Sequence, residues 1–131
     1  MNIILDTNIL VRAISSRSFS SWVFDALFDG KYDLFVSTDI LLEYHEILTK
    51  IYDAEIADLV TGSIILLPNV YRTEVYFDMR LISVDMDDNK FVNCAFASNA
   101  DYIVSDDKHF SILKNIAFPK INSLSYLILK N

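Results

Sequence analysis

One cysteine, two glycines and two prolines are all that this 131-residue chain holds of the residues that staple, loosen or break a fold. The lone thiol, Cys94, excludes an internal disulfide and any cysteine-based metal site, and it suits a reduced, intracellular setting. So little glycine and proline leaves no linker, and there is no glycine-rich phosphate loop, which sets aside the ordinary nucleoside-triphosphate folds. Positive charge is also scarce. Eleven Lys and Arg against eighteen Asp and Glu give a net charge of −7. Without a basic stripe the chain is not built for broad, sequence-independent adhesion to nucleic acid. A nucleic-acid substrate stays open, because a bound divalent ion offsets charge locally, where a phosphate sits. No uncharged run approaches the roughly eighteen residues that a membrane span needs, and the first residues enter an apolar strand rather than a basic leader. These absences predict a cytoplasmic protein with no membrane attachment, folded as a single domain over residues 1–131.

What the chain does have is apolar residues, 53% of the total, arranged in short runs between helix-like patterns. Asn2–Asp6, Asp33–Ser37 and Asp101–Ser105 read as strands, and a further strand of unclear limits is expected within Thr73–Ile82. Helical spacing predicts a short helix or turn at Asn8–Ser15 and helices at Ser20–Asp29, Thr38–Ile51, Ala54–Leu66, Asp87–Ser98, Lys108–Lys114 and Leu124–Lys130. Gly30 stops the second of these, and either Thr38 or Asp39 caps the third. A weak last strand is expected around Ile116–Ile121. Such alternation implies an α/β fold, a three-layer α/β/α sandwich around a mainly parallel sheet, and the all-apolar strands suit a sheet covered on both faces.

The acids fall where such a fold puts its crevice, outside the carboxyl ends of the strands. Ile3-Ile4-Leu5 runs straight into Asp6-Thr7-Asn8, and Tyr102-Ile103-Val104-Ser105 runs into Asp106-Asp107. Asp6 either caps the next helix or points its carboxylate into the crevice, with Thr7 and Asn8 free to hydrogen-bond it. Glu43 lies about 40° beyond Ile47 on the Thr38–Ile51 helix, at the edge of an apolar arc made by Ile40, Tyr44, Ile47, Leu48 and Ile51. It is either a boundary residue reaching water or a carboxylate leaning over the sheet's end. In Asp85-Met86-Asp87-Asp88-Asn89-Lys90, Asp88 shares a face with Phe91, Val92 and Ala95, the i+3, i+4 and i+7 positions. Asp88 is therefore the inner acid, with Asp85 or Asp87 as its alternatives. Periodicity does not choose between Asp106 and Asp107, one of which is free to cap a following helix. Clustered carboxylates repel unless a cation sits among them, and an oxygen-only ligand set suits Mg²⁺ or Mn²⁺.

Other side chains carry weaker signals. His45 and His109 lack a histidine partner at metal-ligand spacing, and Asp58 has polar neighbours. Tyr71, Tyr76 and Phe77 read as core or dimer surface ahead of a base-stacking platform. Arg12, Lys90 and Lys108 follow the acids closely and are placed either to meet phosphates or simply to be solvated. Ser105 is a potential partner of a phosphate or of bound water.

The ordered pieces Ile3-Ile4-Leu5-Asp6-Thr7-Asn8, Val36-Ser37 with Glu43-Tyr44 and Ile47-Leu48, Asp85 to Phe91, and Ala100 to Phe110 together resemble the PIN-domain family. The resemblance covers nearly the whole chain and is nearest to the branch of toxin components of bacterial toxin–antitoxin pairs. It implies a PIN-like fold and an acidic metal site made of Asp6, Glu43, Asp88 and Asp107, the last being two places after the strand's final Ser. Many members of the family carry an acid where this chain has Asn89, so the resemblance assigns that role to Asp88 one residue earlier. It further implies a ribonuclease using one or two Mg²⁺ or Mn²⁺ ions, with Glu43 ligating directly or through water, an RNA substrate, a homodimer and an inhibitory antitoxin. Two readings compete with it. A receiver-like signalling module also binds Mg²⁺ at strand ends, but it wants an acidic pair after the first strand, where this chain offers only Asp6. The other is a PIN-like scaffold that binds a partner without cutting. A phosphatase of the Asp-x-Asp type fails at Asn8, which stands where its second Asp belongs.

Overall fold

The first apolar run of the sequence becomes the middle of the molecule. The computed structural model describes residues 1–15, 21–78, 80, 82, 88–105 and 120–122. Among them the chain forms β1 (Asn2–Leu5), α1 (Thr7–Ile14), α2 (Ser21–Phe28), β2 (Asp33–Val36), α3 (Thr38–Ile51), α4 (Ala54–Ile65), β3 (Val70–Arg72), α5 (Asn89–Ser98), β4 (Tyr102–Val104) and β5 (Lys120–Asn122). All five strands are parallel and lie in the order β3-β2-β1-β4-β5. Ile3, Ile4 and Leu5 are fully buried although successive strand residues face opposite sides, so both faces of β1 are covered. This is the expected α/β arrangement of helices flanking a parallel sheet.

The order of the strands locates the crevice. From β1 the chain steps outward to β2 and β3, then returns across the sheet to place β4 on the other side of β1. By the right-handed rule for parallel strands, the outward crossovers are expected to put α1 to α4 on one face and the return crossover α5 on the other. The direction of travel reverses between β1 and β4, which in open α/β sheets is where the ligand crevice is expected, at the strands' carboxyl ends. Leu5 pairs with Val104 in that register, so Asp6 and Ser105 emerge together.

Local chemistry sets the helix ends. Gly30 has φ +73, its N–H donates to Leu27 O at 3.1 Å, and the Lys31 N–H donates to Ala26 O at 3.0 Å. This is the crossed pair of bonds that closes a helix on a left-handed residue, and it stops α2 where the sequence predicts. Asn99, φ 57, ends α5 in the same region of backbone space. The cap of α3 differs from expectation. Ser37 holds the position, its Oγ accepting from Ile40 N at 3.2 Å, while Thr38 and Asp39 begin the helix itself.

The strand expected within Thr73–Ile82 lies earlier, at Val70–Arg72, and the described residues of 73–82 form none. The reason is the length of its partner. β3 pairs with Leu34 to Val36, Thr73 N makes one last bond to Val36 O, and β2 then ends at the cap of α3, leaving no ladder to extend. The last strand is found at Lys120–Asn122, paired with β4. The helices expected at Lys108–Lys114 and Leu124–Lys130 lie outside the described residues.

Among the described residues, Tyr32, Tyr44 and Cys94 are buried groups that resist charging. Tyr32 donates to Val23 O and Tyr44 to Leu5 O, and both rings are buried. Burial pushes both phenols well up, and it raises the Cys94 thiol to about 12. Above the ordinary thiol and phenol range, about 9 to 10, the unfolded chain releases these protons while the folded chain keeps them. The folded state then holds more protons, so stability falls as pH rises. The urea midpoint is expected to be flat up to about pH 8 and to drop steeply by about pH 10.5. The slope should shrink in Tyr32→Phe; an unchanged slope removes this account.

Candidate active site

Asp6 is placed by β1 and left unspent by α1. It occupies the N-cap position of that helix, yet its side chain makes no capping bond, and only its backbone carbonyl accepts from Ile9 and Leu10. The carboxylate instead takes a 2.7 Å hydrogen bond from Ser105 Oγ across the β1–β4 boundary. Asp6 is 4% exposed and Ser105 is 5% exposed. The side chain of Asp6 is therefore not a helix cap; it is held by the hydroxyl at the end of the neighbouring strand. Its charge sits at the N-terminus of α1, where the exposed N–H groups favour an anion.

Glu43 is not a boundary residue reaching water. From α3 it turns inward, where Thr7 Oγ1 donates to Oε2 and Lys90 Nζ donates to Oε1 at 2.9 Å. Thr7 follows Asp6 and Lys90 follows Asp88 by two places, so Glu43 ties the end of β1 to the start of α5. Tyr44 packs beneath this corner, its hydroxyl on the carbonyl of Leu5. Its phenol is pushed up first by burial and next by the charge of Asp6, with smaller contributions from Cys94, Tyr32 and Glu43. Sequence reading found Tyr44 only as part of an apolar arc, since periodicity reports burial and not what a hydroxyl touches.

Asp88 is 8% exposed and precedes α5 with helical backbone angles and no capping bond from its side chain. Phe91, Val92 and Ala95 are buried on the face it was assigned to. Its neighbour Asn89 is buried as well. The Asn89 amide accepts from Ile82 N and donates to Ile82 O, both at 2.8 Å. One turn further, Asn93 Nδ2 donates to Asp78 Oδ1 at 3.1 Å, and that bond, with the Arg80 N–H, holds the Asp78 carboxyl below its usual range. Two asparagines at i and i+4 thus grip the chain passing through Asp78 and Ile82. Sequence reading missed this strap, although a pair of amides four apart on a helix that buries that side was its visible signal.

The remaining candidates scatter. Asn8 is exposed, and Arg12 Nε folds back to Asn8 O at 3.4 Å. His45 pairs with Asp58 at 2.6 Å on the outer surface of α3 and α4. Tyr71 stacks on Phe35 with ring centroids 5.1 Å apart, but Tyr71, Tyr76 and Phe77 are all exposed and not core. Asp85, Asp87, Asp106, Asp107, Lys108 and His109 lie outside the described residues.

Asp6 and Asp88 suit a hard divalent ion chemically: oxygen donors, buried, at helix N-termini, neither consumed by capping. Among the described residues no three His, Cys, Asp or Glu side chains are grouped to hold a metal. Glu43, the third acid described here, is held by Thr7 and Lys90. No helix among the described residues is long and apolar enough to cross a membrane.

The sequence profile of the PIN domain matches residues 2–109. No curated protein sequence matches the chain significantly. Among solved structures, the fold is similar to that of VapBC2 from Rickettsia felis bound to a DNA fragment from its promoter, at 20% identity and a TM-score of 0.61, covering 94% of this chain and 98% of that one. It is also similar to VapC20 of Mycobacterium tuberculosis, a sarcin–ricin loop cleaving toxin, at 15% identity and a TM-score of 0.61, covering 83% and 92%. VapBC-1 from nontypeable Haemophilus influenzae aligns at 15% identity with a TM-score of 0.58, covering 95% and 99%.

Proposed function

The chain belongs to the PIN-domain family, and from that premise we propose that it is a divalent-metal-dependent endoribonuclease, the toxin component of a toxin–antitoxin pair. The observation that carries this reading is the state of Asp6: a buried carboxylate at the reversal point of the sheet, turned away from its own helix and oriented by Ser105. Two strand ends thus bring an acid and a hydroxyl together where the sheet reverses, the place where open α/β sheets bind their ligands.

In this proposal Asp6, Asp88 and Asp107 hold Mg²⁺ or Mn²⁺, with Glu43 completing the acidic set. The bound ion would supply Lewis acidity toward a phosphodiester and lower the pKa of a nearby water. The chain's own part is positioning. Ser105 donates to Asp6 Oδ2 and so fixes the orientation of that carboxylate. Asn89 fixes the strap beside Asp88, and Glu43 joins the α3 and α5 sides of the site. Among the solved relatives are a toxin that cleaves the sarcin–ricin loop and VapBC assemblies, one of them on promoter DNA; they support an RNA substrate and an antitoxin partner here. The net charge of −7 favours a selective grip on a particular RNA over broad adhesion. A homodimer in the cytoplasm is part of the same proposal, a second subunit lending basic surface. Family membership weighs against the receiver reading.

The direct test is metal removal. Chelator-treated protein is expected to lose cleavage of a structured RNA and to regain it on adding Mn²⁺ or Mg²⁺. Ca²⁺ should restore little, because its looser coordination positions the reacting groups less well. Undiminished cleavage in excess chelator ends the metal-dependent reading. Failure to cut any RNA with metal present favours a binding scaffold.

A further inference from the structure

Exposed aromatic rings follow the chain from the edge strand β3 toward the strap beside Asp88. Tyr71 is 46% exposed, Phe77 43% and Tyr76 87%. Phe35 stacks on Tyr71 with ring planes 21° apart, and nearly half of Tyr71 still meets solvent. Arg72 and Arg80 are exposed in the same stretch. They balance Glu74 and Asp78, so residues 70–80 are neutral within a chain of net charge −7. Among the described residues, the exposed leucines and isoleucines lie elsewhere, on α3, on α4 and at the cap of α4. Beyond Arg72 the stretch is neither helix nor strand, yet it is tied down. Thr73 N–H donates to Val36 O at 2.7 Å, at the carboxyl end of the sheet, and Asp78 accepts the 3.1 Å bond from Asn93. Arg80 N–H donates to Asp78 Oδ1 at 3.0 Å, and Ile82 is held by Asn89, the neighbour of Asp88. The rings are thus carried on an anchored track, which lowers the ordering cost of binding to them.

We infer that Tyr71, Tyr76 and Phe77, with Arg72 and Arg80, form a stacking platform for unpaired bases of the RNA substrate. The inference rests on the ribonuclease reading above and deepens it, narrowing the substrate to RNA that offers single-stranded nucleotides. An acidic protein gains little from attraction to phosphates, so its affinity has to come from contacts indifferent to charge. Base–aromatic stacking is such a contact, because every base has a π-face. Exposed guanidinium planes add to the stack and meet a phosphate without needing a basic stripe. Bases inside a duplex are already stacked on one another, so the platform selects loops, bulges and ends. A protein partner would find exposed aliphatic surface on α3 and α4, whereas here aromatic and arginine side chains stand without it. Position agrees with this assignment. The track starts at the carboxyl ends of the strands and reaches the residue next to Asp88, so a strand resting on it is led toward the site.

The test is fluorescence anisotropy with a labelled single-stranded oligoadenylate of about 12 nucleotides, in excess chelator so that the strand stays uncut. Its duplex with oligouridylate is the control. The wild-type chain is expected to bind the single strand and to bind the duplex distinctly less well. Tyr76→Ala and Phe77→Ala should each weaken single-strand binding about fivefold or more, the loss of one stacked base. Tyr76→Trp should keep the affinity, and RNA should quench an indole emission that the wild-type chain lacks. Salt dependence should be unchanged in Tyr76→Ala and reduced in Arg72→Gln. Circular dichroism checks folding, and sedimentation checks self-association. Unchanged affinity in Tyr76→Ala/Phe77→Ala, equal binding of the duplex, an unquenched Tyr76→Trp, or a wild-type chain that does not bind the single strand would each overturn the inference. Lost self-association in the alanine variants with RNA affinity intact would assign the rings to a subunit contact instead. Cleavage with Mn²⁺ on the same preparations keeps the two readings apart. Equal cleavage and equal binding by wild type and double variant spare the nuclease and remove the platform, whereas stacking-dependent binding without cleavage keeps the platform and removes the nuclease.

Discussion

Asp6→Asn is expected to abolish divalent-dependent RNA cleavage, by about a thousandfold or more, while leaving the fold in place. A thousandfold corresponds to roughly 4 kcal/mol of lost transition-state stabilisation. The substitution keeps the shape of the side chain and removes its charge, so the packing at the end of β1 is preserved. Ser105 Oγ can still donate to the amide oxygen in place of the carboxylate oxygen it now meets. The substitution also removes a charge from a buried position, so the melting temperature should stay level or rise slightly. A second readout sits beneath the site. Asp6 is the leading electrostatic cause of the raised Tyr44 phenol, after burial, so the variant should shift Tyr44 ionisation downward even without metal. Cleavage and melting measured on the same preparation separate the possibilities. Full activity in a folded Asp6→Asn protein takes Asp6 out of the mechanism. An unfolded variant would instead make Asp6 a structural residue and return the capping explanation.

The parts of this molecule that follow one-dimensional patterns were readable before any coordinates. Strands β1, β2 and β4 are apolar runs bounded by polar residues, and α3 has the expected limits Thr38–Ile51. The burial of Asp88 followed from counting positions on α5. The place of Asp6 at the end of β1 was legible because an unbroken apolar run stops there. The connections between elements were not legible in this way. Whether Glu43 meets a metal, water or a lysine depends on how α3 and α5 approach each other across the sheet, which neither helix's own periodicity records. The same holds for Asn89, whose buried amide meets the backbone of Ile82. The edge strand was misplaced because its extent is set by its partner: Val36 is the last residue of β2, so Arg72 is the last of β3.

Asn89→Asp tests the most consequential of those unreadable contacts. If residue 89 were a site acid that this chain has lost, restoring a carboxylate should raise cleavage. The structure argues the reverse. Asn89 is 2% exposed and Ile82 is 1% exposed, and the amide both accepts from and donates to the Ile82 backbone. An aspartate keeps the first bond but loses the second, and it sets a charged oxygen against the Ile82 carbonyl. The expected cost is about 1–3 kcal/mol, that of leaving a buried acceptor unmet. Burial and that carbonyl both favour the protonated form of the new acid, so its pKa in the folded chain lies above the ordinary aspartate value. The folded state then binds the extra proton, and relative to wild type the variant loses stability as pH rises above about 4. Cleavage should fall several-fold as the strap beside Asp88 loosens, whereas Asp88→Asn should match the loss seen in Asp6→Asn with little change in melting. Urea unfolding of Asn89→Asp between pH 4 and 7, paired with cleavage assays of both variants, decides the matter. Raised activity in Asn89→Asp together with an active Asp88→Asn would move the acid of this helix from residue 88 to residue 89.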